Sequence, residues 1–208
     1  MKIALFLLIL LSLIPLNAFA KEVKAIKSST KIFSQKIEFN LPEGWKPVFE
    51  NADQATYMLE FVPAEQTKEK WNQMFTVQGF KGLAQKMSPR DFLGLMSKVY
   101  KGICPNQAIF ELVEKNSLIQ YETQGALLGC AAMNKDHPSG LKAGMGEVAY
   151  FIAVKGTYDM YLFHKAVRGN KFPIGAAPLN KGNANDFMSN FMPIRLCNGK
   201  SQPTECLK

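Results

Sequence analysis

The chain has 208 residues, of which 47% are apolar and 11% aromatic, and a formal net charge of +8. That content excludes a disordered chain, and the absence of internal repeats or low-complexity tracts excludes a solenoid or fibrous protein. A length of this order fits one domain around one core.

Residues 1–20 read as a secretory signal peptide. Lys2 is the only charge in them, Ile3 to Leu16 is almost wholly apolar, and Ala18-Phe19-Ala20 offers the small-x-small pattern that signal peptidase cuts. The expected cut follows Ala20, with Ala18 and Ala20 as the recognised pair; the alternative is an uncleaved anchor, for which the apolar run is short. Residues 21–32 are rich in Lys and Ser and read as a flexible basic arm, leaving 33–208 as a single domain.

Phe33 to Leu41 alternates and is expected to be a strand, ending in a turn at Pro42-Glu43-Gly44. Trp45 opens a short edge strand restricted by Pro47. Ala55 to Val62 and Met74 to Phe80 alternate as two further strands. Between them, Thr67 is placed to cap a single helical turn reaching Trp71. Trp71 is a candidate either for a core plug, the preferred reading, or for a binding platform. Ser88-Pro89-Arg90-Asp91 is a strong helix start, with a capping hydroxyl, proline at the first position and an early acid. Phe92, Leu95, Met96, Val99 and Ile103 are its expected core face.

Ala108 to Val113, Ser117 to Thr123 and Ala126 to Met133 read as strands, the first two joined by a turn at Glu114-Lys115-Asn116. Glu147 to Val154 and Tyr158 to Val167 read as a hairpin around Lys155-Gly156. Glu147 and Asp159 could face each other across it, as a solvated pair or, less favoured, a catalytic dyad. Residues 169–184 form a long loop carrying Lys171 and Phe172, a candidate binding loop or a plain connection. Asn185 to Ile194 is expected to be a last short helix. The fold class is therefore α+β: a mostly antiparallel sheet with one long central helix and a short C-terminal helix packed on it.

The four cysteines, Cys104, Cys130, Cys197 and Cys206, are an even set in a chain expected to be exported, which suggests two disulfides. Three pairings exist. Proximity favours Cys197–Cys206, and Cys104–Cys130 would then tie a helix end to a strand. A zinc site lacks ligand spacing, since there is no C-x-x-C and His137 and His164 lie far from any cysteine in sequence. No metal and no cofactor is expected.

No nucleophile elbow, zinc-protease helix, phosphate loop or dinucleotide fingerprint is present, so no catalytic residue is assigned. His164, in an aromatic-rich strand, reads as structural. Lys165, Arg168 and Lys171 form a basic group after the hairpin; with Phe172 and Trp71 they are the candidate binding residues. The basic balance fits a solvated surface or an anionic envelope component.

The segment Phe39-Asn40-Leu41-Pro42-Glu43-Gly44-Trp45, with Glu60-Phe61-Val62-Pro63 and Trp71, resembles the PsbP-like α/β/α sandwich group. It is also similar to small uncharacterised exported proteins of Gram-negative bacteria. The resemblance spans most of residues 33–195 and implies a binding or scaffold role, as in luminal subunits of photosynthetic complexes, with no shared catalytic residues. The 169–184 loop and the C-terminal cysteines fall outside its pattern.

The expected function is that of an exported, non-catalytic binding or accessory protein, held in the periplasm or released by a type II-like secretion route. The alternatives are an exported hydrolase with a site assembled from scattered residues, and a surface factor that binds anionic membranes. A monomer is expected, its partner unidentified; nucleic acid is not expected.

Overall fold

The computed structural model describes residues 24–114, 121–137 and 140–198. The signal-peptide residues, the turn at Lys115-Asn116 and Cys206 lie outside them. Among the described residues, ten strands form two antiparallel sheets. β1 (Ala25–Ile32), β2 (Gln35–Pro42) and β10 (Arg195–Asn198) make a small sheet in the order β1-β2-β10. β3 (Trp45–Ala52), β4 (Thr56–Pro63), β5 (Gln73–Phe80), β6 (Ala108–Val113), β7 (Thr123–Cys130), β8 (Met145–Lys155) and β9 (Met160–Asn170) make a large one in the order β3-β4-β5-β9-β8-β7-β6.

The two faces of the large sheet are set by strand alternation. Along β8, Val148, Tyr150, Ile152 and Val154 join one core while Ala149, Phe151 and Ala153 join another. The first core is roofed by the small sheet through Ile32, Ile37, Phe39 and Leu196, and by α2 (Ala184–Met188) with the 3-10 turn that follows it. The second is roofed by α1 (Pro89–Ile103), whose Phe92 and Leu93 sit on the alanines of β7 and β8. Small residues on those strands let the helix approach closely.

Several expectations are corrected. Residues 25–32 are no free arm: β1 pairs with β2 from Ala25↔Pro42 to Ile32↔Gln35, and Lys27 and Lys36 clamp the buried Glu38 at 3.2 and 3.0 Å. Backbone pairing to a neighbouring strand satisfies a polar segment that has little apolar content of its own. The helix in the middle of the chain is neither long nor central. It has 15 residues and lies on the outside of the sheet, and the C-terminal helix has only 5. Ser88 does cap α1, accepting from the Asp91 N–H at 3.1 Å. Its buried side, however, is Phe92, Leu93 and Ser97, while Leu95 and Val99 are exposed. The face is fixed by Cys104, which ends the helix and is disulfide-bonded to Cys130 at the end of β7.

No helical turn forms after Thr67; its Oγ1 instead accepts from the Lys70 N–H in a turn. β10, unforeseen, returns the C-terminal segment to β2. The turn at Gly44 (φ 83°) takes the chain from the small sheet to the large one, so β2 and β3 are not paired partners. β3 is an edge strand with an irregular register between Pro47 and Phe49, as a proline there requires.

Candidate functional site: an open cleft beside the helix

α1 packs mainly across β6, β7 and β8. It leaves uncovered the part of the same face built from β4, β5 and the last turns of β9. There the surface sinks into a cleft of about 520 Å³. β4 supplies Glu60, β5 Met74, β9 His164, Ala166 and Arg168, and β8 Glu147; Lys68, Glu69 and Trp71 come from the β4–β5 link, and Gly140 and Lys142 from the loop before β8.

Register places three polar side chains in one row, of which Glu60 and His164 line the cleft and Thr76, between them, is buried. Glu60 stands opposite Thr76, and Thr76 opposite His164, on neighbouring antiparallel strands. Opposed side chains on such strands are close neighbours. The row continues to Phe151, whose ring stacks on His164 at 4.5 Å. Thr76 Oγ1 and His164 Nδ1 are inaccessible and meet no hydrogen-bond partner among the described residues. Leaving such atoms unpaired costs about 1–3 kcal/mol each. Burial pushes the His164 imidazole down to about 3, so it is neutral at ordinary pH. Burial also raises Glu60, against the opposing pull of the Lys68 and Arg168 charges.

One wall is a three-part stack. The Arg168 guanidinium lies 3.8 Å over the Trp71 ring, and its Nε and Nη2 reach Glu147 Oε2 at 2.8 and 2.6 Å. The Arg168 backbone N–H donates to the Asn72 carbonyl at 2.9 Å, tying β9 to the link that carries Trp71. Trp71 is half-buried, so it is both a wall of the cleft and a cover for a buried cation. At the rim, Lys142 pairs with Asp136 at 2.9 Å and the Lys68 ammonium rests 3.2 Å over the Phe49 ring.

The structure thus divides the residues singled out from sequence. Trp71 and Arg168 come together in the cleft. Lys165, one residue position off the cleft-facing alternation, points into the opposite core. Its ammonium donates to the Phe187 carbonyl at 2.9 Å and lies 4.1 Å from the Phe187 ring, 5.4 Å from Phe191 and 5.9 Å from Trp45. Burial pushes it down to about 8. Phe172 packs against that same core, and Lys171 is exposed beside it, so neither belongs to the cleft. The 169–184 loop is pinned by buried Leu179 rather than free.

Glu147 and Asp159 sit at opposite ends of the hairpin and do not face each other. Glu147 holds Arg168, while Asp159 is a buried knot that accepts from the backbone N–H of Ser34 at 3.1 Å and of Gly82 at 2.8 Å. Cys197 is also disulfide-bonded, and no free cysteine remains among the described residues. Among the described residues no three His, Cys, Asp or Glu side chains gather as metal ligands, and no helix is long and apolar enough to cross a membrane.

Sequence reading missed Glu60 and Thr76 and set His164 aside as structural. Each is a polar residue inside an otherwise apolar strand, which is a signal in itself. What sequence lacks is the strand order β4-β5-β9 that lines them up.

The architecture is an α+β sandwich: a seven-stranded antiparallel sheet with α1 on one face and a small sheet with α2 on the other. Among solved structures, it is similar to the Saccharomyces cerevisiae Ran-binding protein Mog1p, at 12% identity and a TM-score of 0.43 over 82% of this chain and 86% of that one. It is also similar to cyanobacterial PsbP (CyanoP) from Synechocystis, at 12% identity and a TM-score of 0.39 over 74% of this chain and 86% of that one. At these scores the likenesses carry no argument about what this chain binds or does. No protein-family model and no curated protein matches the chain.

Proposed function

We propose that the chain is an exported, non-catalytic, monomeric binding protein of the PsbP-like sandwich type, and that the cleft beside α1 is its ligand site. The observation that carries this reading is the open cleft itself, where the half-buried Glu60 lies beside the Trp71–Arg168–Glu147 stack with no hydrogen bond or ion pair among the described residues. A concave site with a few polar groups on apolar walls is the usual form of a ligand pocket. Export is supported by the apolar leader ending at Ala18-Phe19-Ala20 and by the Cys104–Cys130 disulfide, a bond suited to an oxidising compartment. The PsbP-like assignment is supported by the element order around Gly44-Trp45 and the Trp71 link.

Saturation-transfer NMR of pooled small polar solutes tests the cleft. We expect at least one solute to receive saturation from the protein, and its signal to vanish in Ala166→Met, which fills the cleft. Signals that persist in the filled variant, or none in any pool, overturn the reading. Cell fractionation of the full chain tests export: the mature form is expected outside the cytoplasm, beginning at Lys21.

The hydrolase reading has one observation in its favour, the shifted pair Glu60 and His164. It is the weaker reading because an imidazole that protonates only near 3 is a poor general base at neutral pH, and no activated nucleophile adjoins it among the described residues.

A further inference from the structure

We propose that the outward face of α1 docks the protein on an anionic phospholipid bilayer, with Leu95 and Val99 entering the headgroup layer and the cations beside them meeting lipid phosphates. This face shares no residue with the lining of the cleft, so the inference stands apart from the reading of the cleft as a ligand site.

α1 buries a polar side chain and exposes two apolar ones. Ser97 faces inward, and its hydroxyl donates to the Gly94 carbonyl at 2.7 Å. Leu95 and Val99 remain 50% and 58% exposed. A fold gains by burying such side chains in proportion to the apolar area removed from water. Here the Cys104–Cys130 bond fixes the end of the helix, and the pair stays outside. Of the large apolar side chains exposed among the described residues, Leu95 and Val99 alone share an element. Four residues apart on a helix, they stand side by side.

The charge around the pair selects what covers it. Lys98 lies three residues from Leu95, and Lys101 three residues from Lys98, so the lysines run alongside the pair. Arg90 is in the first turn, and Lys86 precedes the helix. All four are exposed and enter none of the ion pairs formed among the described residues. The one carboxylate on the helix, Asp91, is held in the cap, accepting from the Ser88 hydroxyl at 2.7 Å. Lysines elsewhere are matched: Lys27 and Lys36 to Glu38, Lys142 to Asp136, and Lys181 to Glu111.

An outward apolar pair among unmatched cations is the chemistry of a helix lying in the plane of a bilayer interface. Each lysine near an anionic surface adds attraction, and its long stem lets the apolar residues sink while the ammonium stays with the phosphates. The shape agrees. Gly94 and Gly102 meet open space where a side chain would stand, so the surface around the pair is low. An acidic protein would pair with the cations, but it would need a matching hollow for Leu95 and Val99, whereas a headgroup layer deforms around them.

The test is co-sedimentation of the chain, as isolated from fractionated cells, with vesicles of phosphatidylcholine alone or mixed with phosphatidylglycerol. Soluble poly-L-glutamate stands for an acidic protein surface. We expect saturable binding to the anionic vesicles, little to phosphatidylcholine alone, and a weakening of about tenfold or more between low and high salt. Lys98→Glu with Lys101→Glu should weaken binding by about tenfold or more. Leu95→Gln with Val99→Gln should do the same while leaving the thermal unfolding midpoint in place, since both side chains are exposed. Lys31→Glu with Lys46→Glu makes the same charge change at exposed positions on β1 and β3, and should alter binding by about twofold or less. Absence of binding to anionic vesicles, or equal binding to phosphatidylcholine alone, overturns the inference. So does an equal loss in the Lys31 and Lys46 variant, which would make net charge alone responsible. Binding to poly-L-glutamate as strong as to the vesicles, with no loss in the Leu95 and Val99 variant, would point to an acidic protein and would overturn it too.

Discussion

The two faces of the large sheet are made by the same strands and treat polar groups in opposite ways. On the face under the small sheet, the buried Lys165, Tyr161 and Asp159 all have partners. Lys165 has a carbonyl and three rings, Tyr161 donates to the Ile32 carbonyl at 3.1 Å, and Asp159 collects backbone donors from two loops. On the face under α1, the helix stops short, and the polar groups beyond its reach are left partly unspent. Adjacent residues of β5 carry the contrast: Phe75 is stacked on Phe191 at 4.1 Å, and Thr76, on the other side of the strand, has a hydroxyl with no partner among the described residues. One face gives its buried polar groups partners, and the other buries the Thr76 hydroxyl without one.

The comparison can be broken most sharply at Phe75. Phe75→Ala empties the centre of the sealed face and should cost about 3–5 kcal/mol in urea unfolding. A loss under about 1 kcal/mol would mean that this core is not the closely packed side.

Asp159→Ala should cost about 3 kcal/mol, because it frees donors that a buried carboxylate now receives. Burial alone would raise Asp159, but the hydrogen bonds from Ser34, Gly82 and Tyr161 outweigh it and hold the carboxyl below its ordinary value of 3.8. A depressed carboxyl stabilises the fold above its unfolded value, and that contribution is lost as pH falls through the folded one. Acid unfolding should therefore be less steep in Asp159→Ala than in the native chain.

Trp71→Ala removes a half-buried ring and its cover over Arg168, and should cost about 2 kcal/mol, less than Phe75→Ala. Denaturant midpoints of the two variants measured side by side rank the faces.

Lys165→Met should change stability by about 1 kcal/mol or less, or raise it, since a buried cation gives way to a chain of similar volume. Here the sign of the pH effect is unusual. The folded group releases its proton near 8 and the unfolded one near its ordinary 10.5, so the unfolded chain binds more protons between them. Native stability should rise with pH across that window, and Lys165→Met should flatten the rise. A flat native profile would argue against a buried ammonium at this position.

Much of this frame was legible in the residues. Ser88-Pro89-Arg90-Asp91 marks a helix start because capping is local chemistry, and the 147–167 hairpin declares itself through alternation around Lys155-Gly156. What was not legible is non-local. Nothing within Ala25–Ile32 tells that β2 will pair with it, and nothing near Arg195 tells that the chain returns to the small sheet. The site was half legible for the same reason. Trp71 and Arg168 were singled out as an aromatic and a cation, but their partnership, and the row that Glu60 and Thr76 form with His164, exist only once β4, β5 and β9 lie side by side.

The most direct test of the contrast is the stability of the double variant Thr76→Val, His164→Phe. It keeps shape and the ring stack on Phe151 while removing the two polar atoms that have no partner among the described residues. If the fold does not use those atoms, urea unfolding will give a stability equal to or above that of the native chain. A loss greater than about 2 kcal/mol would contradict the account, since it would show that the polar atoms of Thr76 and His164 hold the fold rather than go unused by it.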